Sequence, residues 1–297
     1  MTTQRFAVIG DPVNQSASPR MHGAAYAALG LDCTYEAIHT VARDVDRVVA
    51  RLRSGELAGV NVTVPHKQRV LAFVDDVAAT AAAARAANTL VRSEGRVVAH
   101  NTDVAALAQE LTSLLSEVEP RRGIAPWGDV HALVLGTGAT ARSAVVALAC
   151  TLGVARITVR GRALANAGAA AALEAELTPL LGRDGRRSSL SLEPWGAVAE
   201  TEREVTLVVQ ATSLGMRGGD AGELARDAVD WSSLSPRTIA LDVVYASGVT
   251  PFVAAARARG LRAADGRGML ARQGALAFEL WLRRPAPIDV MRAALAG

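Results

Sequence analysis

The feature that most constrains the fold is the regular alternation of short apolar runs with longer stretches of helical pattern. The runs RFAVIG at residues 5–10 and HALVL at residues 131–135 are each followed, after a turn, by an Ala-rich stretch of helical periodicity. Short strands separated by helices in this way are typical of parallel α/β sheets. The sequence therefore predicts an α/β protein.

The predicted elements form two series, and a length of 297 residues fits two domains at about 150 residues each. Strands are predicted at residues 5–10, 34–39, 60–64, 89–92, 97–100, 131–135, 156–160, 190–193, 205–210 and 239–244. Helices are predicted at residues 19–29, 42–53, 102–115 and 143–152 and in the tail from 269 to 296. An antiparallel hairpin is predicted at residues 89–100, a linker at residues 117–129 and an exposed loop at residues 179–189.

Composition excludes several classes of protein. Half of the residues (50%) are hydrophobic and 21% are charged, which excludes a disordered chain. The net charge of +3 gives no reason to expect a nucleic-acid partner. Cys33, Cys150 and the five histidines fit no metal-binding spacing, so no metal is expected. No apolar run reaches the ~18 to 20 residues that cross a bilayer, and no signal peptide is recognisable, so a soluble cytoplasmic protein is expected.

The stretch LVLGTGATAR places Gly136 and Gly138 between a predicted strand and a predicted helix. In this GxGxxA pattern the glycines allow a tight turn and close backbone approach to a pyrophosphate at the helix N-terminus. A plain tight turn is the alternative, because a GxG pair alone is a weak signal. Its position at the start of the second series favours a dinucleotide site formed by Gly136, Gly138 and Ala139.

The end of the next predicted strand, ITVRGR, indicates which dinucleotide binds. An acidic side chain there accepts a hydrogen bond from the ribose of NAD, whereas arginine fits the 2′-phosphate of NADP. No Asp or Glu occurs from residue 154 to residue 173, and Arg160 and Arg162 stand where the acid would be. The sequence therefore predicts NADP; the alternative is that both arginines are solvated surface residues.

Polar residues also follow a strand of the first series, in GVNVTVPHK. Asn61 and Thr63 share one face by the period of two, and Lys67 lies just beyond Pro65, where the strand ends. Open parallel sheets bind ligands at the carboxyl ends of their strands. Asn61, Thr63 and Lys67 are therefore predicted to face a ligand.

With these residues in view, the sequence resembles the shikimate dehydrogenases, including their quinate/shikimate relatives. The resemblance spans essentially the whole chain through the ordered motifs GDPVNQSASPRMH, GVNVTVPHK, AANTL, NTD, LGTGATAR, QATSLGM, LDVVY and GMLARQG. It implies NADP-dependent, reversible reduction of 3-dehydroshikimate to shikimate. It also implies a substrate domain with a mixed sheet at residues 1–106 and a Rossmann-type dinucleotide-binding domain at residues 107–267. The C-terminal helices, residues 268–297, would return to the first domain.

The resemblance assigns roles in the first domain. Lys67 and Asp103 would be the catalytic pair, with Lys67 the expected acid/base and Asp103 orienting it and the substrate hydroxyl, although their division of labour stays open. Ser16 and Ser18 would bind the substrate carboxylate through hydroxyl groups, and Ser18 would also cap the helix that begins at Pro19. The remaining substrate ligands implied by the resemblance are Asn61, Thr63, Asn88, Gln273 and Tyr245.

On the cofactor side the resemblance implies contacts from Thr212, Ser213, Gly268 and Met269. The sequence departs from the usual family pattern at three places. Val104-Ala105-Ala106 follows Asp103 where a glycine is usual at the third position, Gln210 replaces an Asn, and Val159 replaces the Asn that commonly precedes the 2′-phosphate arginine.

Two other functions stay open. An NAD-dependent quinate/shikimate dehydrogenase would carry an acid at the end of the second strand of the nucleotide domain, where this sequence has Arg160. A catalytically silent nucleotide-binding paralogue would have lost Lys67 or Asp103, and both are present. The expected partner is a small-molecule substrate, and the sequence leaves a homodimer open.

Overall fold

The computed structural model describes residues 3–118, 127–182, 188–196, 203–216, 220–246 and 248–296. The chain divides into two compact units, one formed by Met1–Ala106 with Arg267–Gly297 and the other by Leu107–Gly266. The division expected from the sequence placed the second boundary one residue later. Most of the predicted linker and the centre of the predicted loop at residues 179–189 lie outside the described residues.

Every strand predicted from the sequence is present, with ends that differ by at most two residues. The strands are β1 (Gln4–Gly10), β2 (Cys33–His39), β3 (Gly59–Val62), β4 (Asp76–Val77), β5 (Thr89–Ser93), β6 (Arg96–His100), β7 (His131–Leu135), β8 (Arg156–Gly161), β9 (Ser189–Pro194), β10 (Leu207–Gln210), β11 (Ile239–Asp242) and β12 (Arg262–Ala264). The helices are α1 (Ser18–Ala28), α2 (Val45–Ser54), α3 (Ala79–Ala84), α4 (Asp103–Val118), α5 (Ala139–Val146), α6 (Ala167–Leu177), α7 (Glu223–Asp227), α8 (Pro251–Ala258), α9 (Arg267–Leu282) and α10 (Ile288–Leu295).

The first unit contains a mixed sheet in the order β2-β1-β3-β5-β6-β4. β1 pairs in parallel with both β2 and β3, whereas β5 runs antiparallel to β3 and β6. The predicted hairpin joins β5 to β6 through Glu94 and Gly95, whose φ angles of 51° and 79° are those of a tight hairpin turn. This arrangement places the C-terminal ends of β3 and β6 at the same edge of the sheet, on either side of β5, and from these ends the chain continues to the predicted site residues.

Each face of this sheet is covered by helices because the strand residues alternate between two apolar cores. Ala7 and Ile9 of β1 belong to one core with the buried α2 residues Val45, Val48, Val49 and Leu52, which follow helical spacing. Phe6 of β1 lies in the other core, with α1, α9 and α10. Gly274 allows α9 to pack close to α1, because a Cβ on residue 274 would lie 2.2 Å from Met21 Cε.

The second unit contains a sheet in the order β12-β11-β10-β7-β8-β9, in which every pairing is parallel. The strands proceed outward in both directions from β7 and β10, which is the doubly wound order of dinucleotide-binding domains. In such sheets the crevice for the ligand lies at the carboxyl ends of the two central strands. The glycine-rich turn after β7 occupies that position.

The predicted fold, two α/β domains with a mixed and a Rossmann-type sheet, is confirmed. The sequence interpretation missed β4 and β12, which are two and three residues long and too short to show periodicity. Over the described ranges, no helix has both the length and the apolar character needed to span a membrane. Within the same ranges, no group of three or more His, Cys, Asp or Glu side chains is placed to hold a metal ion.

Candidate active site

Lys67 and Asp103 form a nearly buried ion pair in the first unit. Lys67 lies in the segment after β3, two residues beyond Pro65, and Asp103 is the first residue of α4. Lys67 Nζ donates to Asp103 Oδ2 at 2.6 Å, and the two side chains are 11% and 5% exposed. A charged pair so poorly hydrated depends on further hydrogen bonds to be tolerated. The two predicted catalytic residues are therefore in direct contact, and the neighbouring hydrogen-bond partners determine whether the buried pair is stable.

Lys67 is also the only lysine in the chain, because the other 31 of its 32 basic side chains are arginine. Arginine keeps its proton under all ordinary conditions, whereas a lysine ammonium can release one. The one side-chain amine of this protein thus lies in the pair with Asp103.

Asn88 supplies the hydrogen bonds that this pair requires. Its Nδ2 donates to Asp103 Oδ1 at 2.8 Å and to Thr102 Oγ1 at 2.9 Å, and it lies 3.3 Å from Gln273 Oε1. Its Oδ1 accepts from the Thr102 backbone N–H at 2.8 Å. Asp103 therefore has one carboxylate oxygen bound by Lys67 and the other by Asn88, so the carboxylate is fixed in orientation.

Asn61 continues the same network on β3. Its Nδ2 donates to the Asn88 carbonyl oxygen and to Thr89 Oγ1, each at 3.0 Å, and its Oδ1 accepts from the Tyr35 hydroxyl at 2.7 Å. Asn61 is buried, as are Asn88 and Thr89. Buried amides connected in this way have a defined orientation.

Thr63 and the serines of the first motif make contacts of their own. Thr63 follows β3, and its methyl group packs against Gly10, where a Cβ would come within 2.5 Å of Thr63 Cγ2. Ser16 Oγ accepts from the Ser18 backbone N–H at 3.2 Å. The expectation that Ser18 caps α1 is wrong: the helix begins at Ser18, and its N-cap residue is Ala17 without a side-chain cap.

The C-terminal segment contributes α9 to the first unit. Gln273 lies on α9, and its Nε2 donates to the Leu270 carbonyl oxygen at 3.0 Å while its Oε1 faces Asn88. Gly268 and Met269 belong to the first turn of the same helix, with Met269 buried. The predicted site residue of this segment that joins the network is therefore Gln273.

In the second unit, the turn after β7 has the geometry expected of a phosphate-binding loop. Gly136 has a φ of 112°, a region that favours glycine, and its N–H donates to the Arg160 carbonyl oxygen at 2.7 Å. Gly138 is the N-cap residue of α5, and a Cβ at Gly138 would meet no atom of the described residues within 4 Å. Ala139 begins the helix, so an anion at this helix N-terminus would meet backbone N–H groups.

The loop after β10 lies directly against this turn. A Cβ on Gly136 would be 3.0 Å from Thr212 Cγ2 and 3.2 Å from the Ala211 carbonyl oxygen. Gln210, which replaces the usual Asn, accepts from the Thr212 N–H at 2.5 Å and donates to the Leu214 carbonyl oxygen at 3.1 Å. The longer amide side chain thus holds the loop that carries Thr212 and the exposed Ser213.

Arg160 and Arg162 have different environments. Arg160 is 1% exposed; its Nε and Nη2 donate to Glu193 Oε2 at 3.0 and 2.7 Å, and its Nη1 donates to the Ala228 carbonyl oxygen at 2.8 Å. Arg162 follows β8, is exposed, and forms a loose ion pair with Asp220 at 3.3 Å. The guanidinium of Arg160, one of the predicted cofactor residues, is thus buried and bound within the unit, whereas Arg162 is the arginine that faces solvent.

Asp242, at the end of β11, organises the segment that carries Tyr245. Its Oδ1 accepts from the Val244 N–H at 2.9 Å, and the Thr250 hydroxyl also hydrogen-bonds to the carboxylate. Burial, with a smaller contribution from the negative charge of Asp265, raises the pKa of Asp242 to about 6. Tyr245 is half-buried and lies three residues after β11.

Comparisons with known proteins agree with this geometry. Residues 8–90 match the family model described as "Shikimate dehydrogenase substrate binding domain", and residues 266–296 match "Shikimate 5'-dehydrogenase C-terminal domain". A shikimate dehydrogenase (NADP(+)) of Desulforamulus reducens is 37% identical, over 98% of this chain and 94% of that protein.

Solved structures give the same result. The shikimate 5-dehydrogenase of Thermus thermophilus, in complex with NADP(H) and shikimate, is 31% identical with a TM-score of 0.77 and covers 98% of both chains. The chain belongs to the shikimate dehydrogenase family. The fold is shared more widely: a 5-ketofructose reductase of a Gluconobacter species is 27% identical with a TM-score of 0.81, over 99% of this chain and 98% of that one.

For this member of the shikimate dehydrogenase family, the structure brings together five of the residues predicted from the sequence. Lys67, Asp103, Asn88, Asn61 and Gln273 are linked by hydrogen bonds or close polar contacts. The other substrate-side residues predicted from the sequence are Ser16, Ser18, Thr63 and Tyr245.

Sequence reasoning missed three residues of the network, Tyr35, Thr89 and Thr102. Thr102 stands within the NTD motif and could have been included on that ground. Thr89 pairs with Asn61 in the register of β3 and β5, which the sequence does not reveal. Tyr35 lies in an ordinary alternating strand, so only the structure shows its contact with Asn61.

Proposed function

We propose that this member of the shikimate dehydrogenase family catalyses the reversible, NADP-dependent reduction of 3-dehydroshikimate to shikimate. The observation that carries the proposal is the Lys67–Asp103 pair, held at 2.6 Å in a nearly buried network of amides. Relatives and structural neighbours named shikimate dehydrogenase, together with the neighbour that binds NADP(H) and shikimate, support the same reaction.

The second unit provides a site that fits NADP. The open N-terminus of α5 and the left-handed Gly136 form a cradle that a side chain would fill. The residues of this unit proposed to hold the dinucleotide are Gly136, Gly138, Ala139, Arg162, Thr212 and Ser213. The family resemblance also assigns Gly268 and Met269, which belong to the first unit, to the cofactor. When bound, NADP supplies the hydride acceptor for alcohol oxidation and the hydride donor for carbonyl reduction.

Lys67 handles the proton of the reaction. Carbonyl reduction needs a proton at the new hydroxyl oxygen, and the Lys67 ammonium can deliver it; in the reverse direction Lys67 Nζ accepts it. Asp103 Oδ2 holds the ammonium, and Asn88 fixes the carboxylate through Oδ1. We assign the acid/base role to Lys67 and the orienting role to Asp103, because Asp103 is already bound at both oxygens.

The other first-unit residues bind and orient the substrate. Hydroxyl and amide groups can donate and accept hydrogen bonds, which suits a polyhydroxylated carboxylate. We propose that Ser16 and Ser18 bind the carboxylate and that Asn61, Thr63, Asn88 and Gln273 bind ring hydroxyls. Tyr245, which the family resemblance assigns to the carboxylate, belongs to the second unit.

The proposal is tested by following absorbance at 340 nm with shikimate or quinate crossed against NADP or NAD. Turnover with shikimate and NADP is expected to exceed the other three combinations. Turnover confined to quinate and NAD would contradict both the proposed substrate and the proposed cofactor. Binding of NADP without turnover in any combination would indicate a catalytically silent paralogue.

Lys67→Arg tests the proton role directly. The substitution keeps the positive charge beside Asp103 but removes the group that can give up its proton. We expect kcat to fall by about 10²- to 10⁴-fold, the usual contribution of a positioned acid/base. The control is Lys67→Met, which removes the charge as well. A kcat near wild type for Lys67→Arg would show that Lys67 does not transfer the proton.

A further inference from the structure

We propose that Tyr35 is a positioning residue for substrate binding, because its hydroxyl fixes the side-chain amide of Asn61. The proposal rests on the proposed function, in which Asn61 binds a substrate hydroxyl. Tyr35 Oη donates to Asn61 Oδ1 at 2.7 Å, the shortest hydrogen bond that Asn61 makes among those described above.

The register of the sheet explains how a residue two strands away reaches Asn61. β1 lies between β2 and β3, and its Phe6 pairs with Tyr35 on one side and Gly59 on the other. Residues paired across parallel strands point to the same face, so Tyr35 lies on the face that also carries Asn61, two residues after Gly59. The tyrosine side chain crosses β1 on that face.

The hydrogen bonds of Asn61 leave only one choice for its ligand. An amide has two N–H donors and two acceptor lone pairs on its oxygen. Both donors are used, by the Asn88 carbonyl oxygen and Thr89 Oγ1, and one lone pair is used by Tyr35. What remains is a single acceptor. A hydroxyl group of a substrate satisfies it, whereas a carbonyl or ether oxygen does not.

Tyr35 also begins a chain of hydrogen bonds that all point in the same direction. Tyr35 donates to Asn61, Asn61 Nδ2 to Thr89 Oγ1, the Thr89 hydroxyl to Asn88 Oδ1, and Asn88 Nδ2 to Asp103 Oδ1. Hydrogen bonds in such a series polarise one another and fix the orientation of each amide. Loss of the first donor leaves the buried Asn61 oxygen free to turn toward another donor.

The ring of Tyr35 is itself held in place by His22. The two rings are stacked with centroids 4.3 Å apart and an interplanar angle of 3°. His22 is fully buried, neither of its ring nitrogens has a hydrogen-bond partner within the described residues, and burial lowers the pKa of His22 to about 3. His22 is therefore a neutral aromatic surface above pH ~4, and Tyr35 keeps its position over the working pH range.

Tyr35→Phe removes only the hydroxyl and provides the test. We expect the KM for shikimate to rise by about five- to tenfold, the effect of one lost hydrogen bond, while kcat and the KM for NADP stay within about twofold of wild type. The matched control is Tyr26→Phe, because the buried Tyr26 hydroxyl lacks a hydrogen-bond partner among the described residues. That variant is expected to keep the wild-type KM.

A double-mutant cycle with Asn61→Ala distinguishes positioning from a general effect on stability. If Tyr35 acts through Asn61, Tyr35→Phe adds no further rise in KM to the Asn61→Ala variant. Additive effects would overturn the proposal, as would a Tyr35→Phe variant whose KM equals that of Tyr26→Phe. If Asn61→Ala does not fold, the comparison of the two tyrosine variants decides alone. An inactive wild type would instead remove the proposed function, and this proposal with it.

Discussion

At the scale of single residues, Arg160 within β8 and Arg162 just after it have side chains in contrasting environments. Arg160 is paired in register with Glu193 on β9, so its side chain is used within the sheet. Arg162 lies beyond the strand and is exposed. Its loose pair with the exposed Asp220 is worth little, which leaves the guanidinium available for a phosphate.

Arg162→Ser is therefore expected to weaken the binding of NADP but not that of NAD. Loss of a charge-assisted hydrogen bond to the 2′-phosphate should raise the KM for NADP by about 10- to 100-fold and leave the KM for NAD near wild type. Arg160→Met should instead lower the free energy of unfolding by about 2–3 kcal/mol, because Glu193 and a buried carbonyl lose their donor. Steady-state kinetics with each cofactor and urea denaturation distinguish the effects of the two substitutions. If only Arg160→Met changes the ratio of the KM for NADP to the KM for NAD, Arg160 is the residue that selects the cofactor.

At the scale of elements, the turn between β7 and α5 contains two glycines, Gly136 and Gly138, whose substitution is expected to have different effects. Gly136 needs its left-handed φ and its contact with Thr212, so a side chain there disturbs the fold itself. Gly138 has an ordinary φ of −80° and open space at its Cβ position. Among the described residues nothing contacts a Cβ built at Gly138, so this space is open to a ligand.

Gly138→Ala is accordingly expected to fold like the wild type but to bind NADP poorly. Its thermal midpoint should stay within about 2 °C, since surface changes of this kind alter stability by less than about 0.5 kcal/mol. NADP affinity, measured by calorimetry, should fall at least about tenfold, because the added methyl group occupies the place of the pyrophosphate. Gly136→Ala, the comparison variant, should lose both stability and binding. Unchanged NADP affinity in Gly138→Ala would exclude this turn as the phosphate site.

The end of β11 makes a second prediction at this scale. Burial raises the pKa of Asp242 to about 6 in the folded state, above its ordinary value of 3.8. Between these values the folded protein binds the proton more tightly than the unfolded chain, so the contribution of Asp242 to stability falls as pH rises. Asp242→Asn has no such proton, and its free energy of unfolding relative to wild type should increase from about pH 4.5 to about pH 7. Urea titrations across this pH range test this, and a constant difference would show that Asp242 ionises normally.

At the scale of the whole molecule, the sequence was sufficient wherever the chain repeats a pattern over several residues. Alternation predicted the longer strands, and motifs predicted Lys67, Asp103, Asn88 and their neighbours. The sequence did not reveal strand register. It did not show which arginine of ITVRGR pairs with a residue of the neighbouring strand, or that Tyr35 and Asn61 lie on the same face of the sheet across β1. These facts depend on pairing between strands far apart in sequence, and a shift of one residue reverses the side on which each side chain lies.

The composition of the whole chain also permits a direct test of the amine that we propose to be catalytic. Since Lys67 is the only lysine among 297 residues, an amine-selective reagent can modify only Lys67 and the terminal amine. The Lys67 side chain is 11% exposed and bound to Asp103, so its modification should be slower than that of the terminal amine and slower still with shikimate present. Intact-mass spectrometry should show at most two added groups, with activity lost in step with the second. Lys67→Met should take up only one. Inactivation that follows the terminal amine instead would place the essential amine of this enzyme outside the Lys67–Asp103 pair.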